Sequence, residues 1–184
     1  MTSPILYPAR NRPRILACLL GFLGLLCCVA PLWADSLAEY RLKAAFLVNF
    51  VSFTEWPAGL GHTLNLCVYG PDPFGPDLDK LQGRSAAGRS LAVRRANSVD
   101  ALGNCQIVFI TQPVISNLPR VLDHLRGKPV LIVADSPEGA RRGVIINMTT
   151  EQNKILFEVD LGVAHENGLI LSSKLLRLAK EVYQ

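Results

Sequence analysis

The chain has 184 residues, 49% of them apolar and 18% charged, enough for one domain with a sizeable core. Its formal charge of +4 shrinks once the first 34 residues are set aside, because they hold Arg10, Arg12 and Arg14 and no acid, leaving sixteen bases against fifteen acids. A domain so near neutrality has no electrostatic footprint for DNA or RNA, so nucleic acid is excluded as a partner.

Residues 1–34 read as an export signal. The three arginines precede the apolar core "ILACLLGFLGLLCCV", which is short for a membrane span, and polar sequence resumes at Asp35. Cleavage is expected after Ala34, releasing residues 35–184 as a single domain into the periplasm. Arg14, directly before Ile15-Leu16-Ala17-Cys18, argues against a lipoprotein box. Export fits the cysteines: the mature chain keeps Cys67 and Cys105, and two cysteines in an oxidising compartment read as one disulfide.

In chain order, Ser36 and Glu39 form a capping box that predicts a helix from Ser36 to about Thr54, closed by Pro57-Ala58-Gly59. "TLNLCVYG" predicts a strand, "PDPFGPD" a turn, residues 74–81 a short helix and "SLAVRRA" a second strand. "CQIVFIT" and "PVLIVAD" have the unbroken apolar run of central strands, and the amphipathic "ISNLPRVLDHLRG" lies between them. "VIINMTT" and "KILFEVDL" flank "EQN" as an antiparallel hairpin, and a last helix is predicted over residues 173–183. The fold class is α/β: a three-layer sandwich with a mixed, mainly parallel central sheet, an antiparallel edge hairpin and flanking helices. In a 2-1-3-4 strand order the strands bearing Cys67 and Cys105 are neighbours, close enough for a disulfide.

No catalytic constellation emerges. The chain lacks G-x-S-x-G and C-x-x-C, and His62, His124 and His165 lack ligand-like spacing, so neither enzyme activity, metal nor cofactor is expected. His62 and His165 are read as loop and turn residues and His124 as an exposed helix residue. In "GPDPFG", Pro71 and Pro73 remove backbone donors that a phosphate loop needs, which favours a rigid structural turn. Asp72 and Asp77 could pair, but acids in such turns usually cap it.

The first helix is more telling. At about 100° per residue, Leu37, Tyr40, Ala44, Val48 and Val51 form one stripe, fit to rest on a sheet. Leu42, Phe46, Phe50 and Phe53 form another, centred nearly opposite, with Arg41, Asn49 and Ser52 between the stripes on one side and Lys43 and Thr54 on the other. The second stripe needs cover from another helix of the domain or from a second protein. Trp56, just past the helix, favours a protein-binding surface.

"EYRLKAAFLVNFVSFTEWP", "LCVYGPDPFG", "CQIVFIT", "NKILFEVDL" and "GLILSSKLLRLA" together resemble the YfiR-like family of bacterial periplasmic proteins. The resemblance implies a dimeric, non-enzymatic regulator that represses an inner-membrane diguanylate cyclase by binding its periplasmic sensor region, lowering cyclic di-GMP and biofilm formation. It also implies an outer-membrane lipoprotein that sequesters the repressor, and it matches Cys67 and Cys105 to the family's principal disulfide. A second bridge found in some members has no counterpart here. Glu158 and residues 172–176 fall in family motifs, and Glu158 joins the aromatic stripe as an interface expectation. The alternative is a small-molecule-binding sensor component, using the crevice by Pro71 and Gly75 and serving another membrane receptor or kinase.

Overall fold

The computed structural model describes residues 32–137, 139 and 142–184; the predicted export signal, apart from the backbone of its last residues, lies outside them. Helix α1, Leu32–Ser52, begins four residues before the expected capping box and runs through it. Glu39 is held by Lys43 and Thr150.

A two-residue strand β1, Thr54–Glu55, and β2, Thr63–Tyr69, follow. Next come a short helix α2, Pro76–Asp79, β3, Ser85–Ala86, and β4, Arg89–Ala96. A 3-10 turn, Asp100–Asn104, leads into β5, Ile107–Ile110, with Cys105 just ahead of the strand instead of on it. A second 3-10 turn, Gln112–Asn117, precedes α3, Leu118–Leu125. The predicted amphipathic helix is divided there because Pro119 lies in the first turn of α3, where its missing N–H costs nothing. Strand β6, Leu131–Ala134, leads to the hairpin of β7, Ile146–Glu151, and β8, Lys154–Asp160. Gln152 and Asn153 both have positive φ, 49° and 60°, the signature of a two-residue turn that matches strand twist.

With the last strand β10, Glu181–Tyr183, the sheet order is β10-β8-β7-β6-β5-β2-β4-β3, with β2, β4, β5, β6 and β7 mutually parallel along it. Helix α4, Leu161–Glu166, β9, Ile170–Leu171, and α5, Ser173–Leu176, close the chain with β10, Glu181–Tyr183. The long C-terminal helix expected over 173–183 is therefore wrong. After one turn capped by Ser172 the chain straightens, and Lys180 N–H donates to Phe157 O (2.8 Å). Val182 and Tyr183, good strand formers, then pair with the open edge of β8. The predicted hairpin is thus one strand in from the sheet edge. Strand β9 pairs antiparallel with β1, fastening the C-terminal end of α1.

Two apolar cores lie on opposite faces of the sheet, which makes the three layers. The larger lies under α1 and includes Leu47, Phe50, Val51, Leu66, Phe109, Val133, Met148 and Phe157. The smaller lies under α3 and includes Val108, Ile110, Ile132, Val121 and Leu125. Residues 37–184 form one compact unit.

Candidate functional site

Helix α1 has one wide buried arc instead of two opposed stripes. Lys43, Ala44, Leu47, Val48, Phe50, Val51 and Thr54 are all buried, with Leu47, absent from both expected stripes, fully so at the centre. Phe50 lies about 60° round the helix from Leu47 and falls inside the arc. It is 0% exposed and meets Phe157 of β8 edge-on at 5.0 Å, so Phe50 is core and not an interface residue. The arc is wide because the hairpin brings Phe157 up beside the helix, covering a side that a flat sheet would leave open.

What remains outside is a flank. Leu42 is 44% exposed. Phe46 is half-buried, with ring centroids 5.8 Å from Phe50 and 6.1 Å from Phe157. Phe53 is half-buried, and its carbonyl accepts the Ser172 N–H at 2.9 Å. Trp56 folds back on the helix end, its indole N–H donating to Val51 O at 3.3 Å. Leu176, Ala179 and Val182 also pack at the edge of this core while remaining partly exposed. Glu158 is not part of this surface. Its neighbour Phe157 faces α1, so strand alternation sends Glu158 to the opposite face.

The inner arc carries a polar cluster that the helical pattern did not reveal. Lys43 Nζ lies 2.9 Å from Asp135 Oδ2 at the carboxyl end of β6 and 2.6 Å from Glu39. The Lys43 and Asp135 side chains are only 4% and 3% exposed. Tyr40 donates to the same Asp135 oxygen at 2.8 Å, and the Lys43 ammonium sits 4.5 Å from the Tyr40 ring centre. Burial, together with the Asp135 carboxylate, pushes the Tyr40 hydroxyl far above its ordinary pKa. Burial alone would raise the Glu39 carboxyl, but hydrogen bonds from Lys43 and Thr150 outweigh it and hold Glu39 below its ordinary value. The arrangement clamps α1 to the sheet. A lysine between Leu42 and Ala44 reads as a solvent-side divider until Asp135 is seen opposite it.

The turn after β2 is built to hold itself. Asp72 Oδ1 accepts the N–H of Phe74 at 2.7 Å and of Gly75 at 3.3 Å, while Arg95 binds Asp72 Oδ2 at 2.8 Å. The donors that a bound anion would need are already taken by this side chain. Asp77 does not pair with Asp72. It binds Lys80 at 2.6 Å and Arg41 at 3.4 Å, and the Lys80 hydrogen bond, aided by Arg41, holds its carboxyl below the usual range. Gly70, at φ +100°, must be glycine, since a Cβ there would stand 2.4 Å from Thr111 Oγ1. His124 is half-buried on α3 and not exposed, and His165 lies in α4 instead of a turn.

Cys67 on β2 and Cys105 before β5 form the expected disulfide, Cα–Cα 6.0 Å, between neighbouring parallel strands. Among the described residues no group of three or more histidine, cysteine, aspartate or glutamate side chains could hold a metal ion. None of their helices is long and apolar enough to cross a membrane.

An α/β domain with an α1-first order, a β2–β5 disulfide and a terminal hairpin-plus-strand edge is a pattern with relatives. The chain belongs to the YfiR/HmsC-like family, DUF4154, whose sequence pattern matches residues 40–180. Membership suggests a periplasmic regulator, in a family that is regulatory and not catalytic. No curated protein matches the chain. Among solved structures, the ABC domain in complex with L-Trp from Streptococcus pneumonia is similar at TM-score 0.51 and 9% identity, over 78% of this chain and 62% of that one. A conserved domain protein from Vibrio cholerae O1 biovar El Tor strain N16961 is similar at TM-score 0.50 and 11% identity, over 78% of this chain and 60% of that one. The matched region thus spans about three fifths of each of those proteins, and at such identities the likeness is one of fold alone.

Proposed function

We propose that this chain is an exported regulator that binds the periplasmic sensor region of an inner-membrane diguanylate cyclase and represses it, lowering cyclic di-GMP and biofilm formation. The observation that carries the proposal is the apolar flank of α1, where Leu42, Phe46, Phe53 and Trp56 stay partly exposed on a member of the YfiR/HmsC-like family. Aromatic side chains at a surface are a mark of interface cores, and no cofactor or catalytic role competes for these. A second copy of the chain and an outer-membrane lipoprotein that draws the repressor away complete the proposed system.

Cleavage after Ala34 would remove the first three residues of α1 and leave Ser36 and Glu39 near the new helix start. Intact-mass measurement of the periplasmic protein should therefore give a chain beginning at Asp35; a lipid or a retained Cys18 overturns the export reading. For the regulatory reading, the tagged protein is recovered from solubilised membranes and cyclic di-GMP is measured with and without its gene. Co-isolation of a diguanylate cyclase and a rise in cyclic di-GMP on deletion are expected. Unchanged cyclic di-GMP with no cyclase recovered overturns the proposal.

A further inference from the structure

The outer edge of β4 is covered along part of its length. Its even-numbered residues turn their backbone groups inward to β2: Ser90 N–H donates to His62 O at 2.9 Å, and Ala96 O accepts the Gly70 N–H at 3.1 Å. The odd-numbered residues therefore turn theirs outward. Strand β3 covers the start, pairing Ala86 with Arg89 and Ser85 with Ser90. Gly83 N–H then donates to Leu91 O at 2.8 Å and Leu91 N–H to Arg84 O at 2.9 Å, a bulge that carries the chain off the edge. The exposed Gln82 side chain takes the Val93 N–H at 2.8 Å. Past that point Val93 C=O and Arg95 N–H and C=O have no partner among the described residues.

The same edge carries charge of one sign. Residues 80–99 hold Lys80, Arg84, Arg89, Arg94 and Arg95 and no acid. Acids from outside that stretch reach two of them: Asp77 binds Lys80, while Asp72 at 2.8 Å and Asp79 at 2.9 Å bind Arg95. Arg89 and Arg94 donate instead to neutral oxygens, Gly61 O and Asn65 Oδ1, both at 3.1 Å. Arg84 is exposed and has no side-chain partner among the described residues. Strand alternation puts Arg95 on the α1 face with Leu91 and Val93, and Arg94 on the opposite face with Ala96.

These two observations narrow the occupant. A second copy pairing edge to edge would set arginine against arginine, which is the way charged edges discourage self-association. The segment before α1 does not suit it either, since residues 1–31 carry Arg10, Arg12 and Arg14 and no acid. An acidic strand meets neither obstacle, because opposite charges across a strand pair favour it. Open backbone groups ask for an extended chain, and unmatched arginines beside them ask for carboxylates.

We propose that an acidic, extended segment of a partner protein adds to the sheet as a strand along β4. Its backbone bonds Val93 C=O and Arg95 N–H and C=O. Its carboxylates fall on alternate residues, facing Arg94 and, at the end near the bulge, Arg84. Uncharged residues between them lie over Arg95, whose charge Asp72 and Asp79 already cancel. This edge is at the other end of the sheet from β8, and the proposal does not rest on the regulatory reading.

The probe is a fluorescein-labelled octapeptide of alternating glutamate and valine, titrated with the purified protein and followed by anisotropy. Saturable one-to-one binding is expected, and hydrogen exchange at the Arg95 amide should slow by about tenfold or more at saturation. The same peptide N-methylated at every residue keeps the charges without backbone donors and should not bind. The double variant Arg84→Gln, Arg94→Gln should melt as the wild type does and bind about tenfold more weakly. Arg126→Gln on α3 should bind the peptide as the wild type does. No saturable binding, equal binding of the N-methylated peptide, unchanged exchange at Arg95, no loss in the double variant or an equal loss in Arg126→Gln overturns the proposal. Binding to phosphatidylglycerol vesicles that the double variant loses, with no binding of the peptide, would assign the arginines to a lipid surface and overturn it as well.

Discussion

The two sides of α1 carry the same kinds of residue to opposite ends. Phe50 and Phe46 are four positions apart, yet Phe50 is sealed between the helix and Phe157 while Phe46 keeps part of its ring outside. Lys43 and Leu42 invert the usual expectation altogether: the lysine is buried and the leucine is 44% exposed. Position around the helix relative to its neighbours, and not side-chain type, decides which residues hold the fold and which are left for a partner. The lysine tolerates burial because Asp135, Glu39 and Tyr40 meet it there. The leucine stays 44% exposed although the hairpin touches its helical neighbours Glu39 and Phe46.

The sharpest break of this comparison is at Phe50. Phe50→Glu should yield no folded protein, since a carboxylate there has no partner and no water. Phe50→Ala, which only removes volume, should cost about 3–5 kcal/mol in urea unfolding. A Phe50→Glu protein with a normal melting curve would return Phe50 to the surface.

Lys43→Met comes next. It strands the Asp135 carboxylate, 3% exposed, with the Tyr40 hydroxyl alone, and should cost about 3–4 kcal/mol. In a domain of this size each kcal/mol shifts the melting temperature by about 2–4 °C. Replacing both partners, Lys43→Met with Asp135→Leu, should recover much of the loss, because no buried charge is then left unpaired. Equal instability in the single and double variants would show that Lys43 acts through packing and not through its charge.

How much of this was legible in the sequence follows from the range of each signal. Strand runs such as "CQIVFIT" and the 2-1-3-4 order are readable because buried parallel strands declare themselves locally, and the disulfide follows from two cysteines expected on neighbouring strands, although Cys105 lies just ahead of β5. The I′-type turn at Gln152-Asn153 closes a hairpin that alternation on both sides had announced. The last element was misread because Leu175, Leu176, Ala179 and Val182 have helical spacing, whereas the open edge of β8 is a tertiary fact. The α1 arc was misread for the same reason: the height of Phe157 beside the helix is not encoded in the helix. Asp135 looked like the end of a strand, and nothing within ninety residues of it in sequence names Lys43 as its partner.

A smaller effect comes from the acid limb of stability. The folded pKa of Glu39 lies below its ordinary 4.5. Its contribution is therefore complete above that ordinary value and is lost as pH falls through the depressed folded value. Melting temperature should be flat from pH 7 to about 5 and then decline. Glu39→Gln should flatten part of the decline while costing about 0.5 kcal/mol at neutral pH, because Glu39 is the partly exposed member of this i,i+4 pair and Asp135 still pairs the buried Lys43. A decline identical in the two proteins would move the acid sensitivity to other carboxylates, with Asp77, also depressed, the first to test.

The smallest expected change in stability is the most informative about function. Leu42→Glu puts a good helix former at an exposed position of α1, so it should alter unfolding free energy by no more than about 0.5 kcal/mol. If the flank is an interface core, the same change places a charge where a partner must bury apolar surface, and capture of the cyclase or self-association should fall by tenfold or more. Stability and binding then separate cleanly on one helix: Phe50 carries the first and Leu42 the second. A Leu42→Glu protein that melts as low as Phe50→Ala would mean that the flank is covered within the monomer. One that melts normally and still captures its partner would mean that the partner docks elsewhere, and the comparison between the two sides of α1 would then concern folding alone.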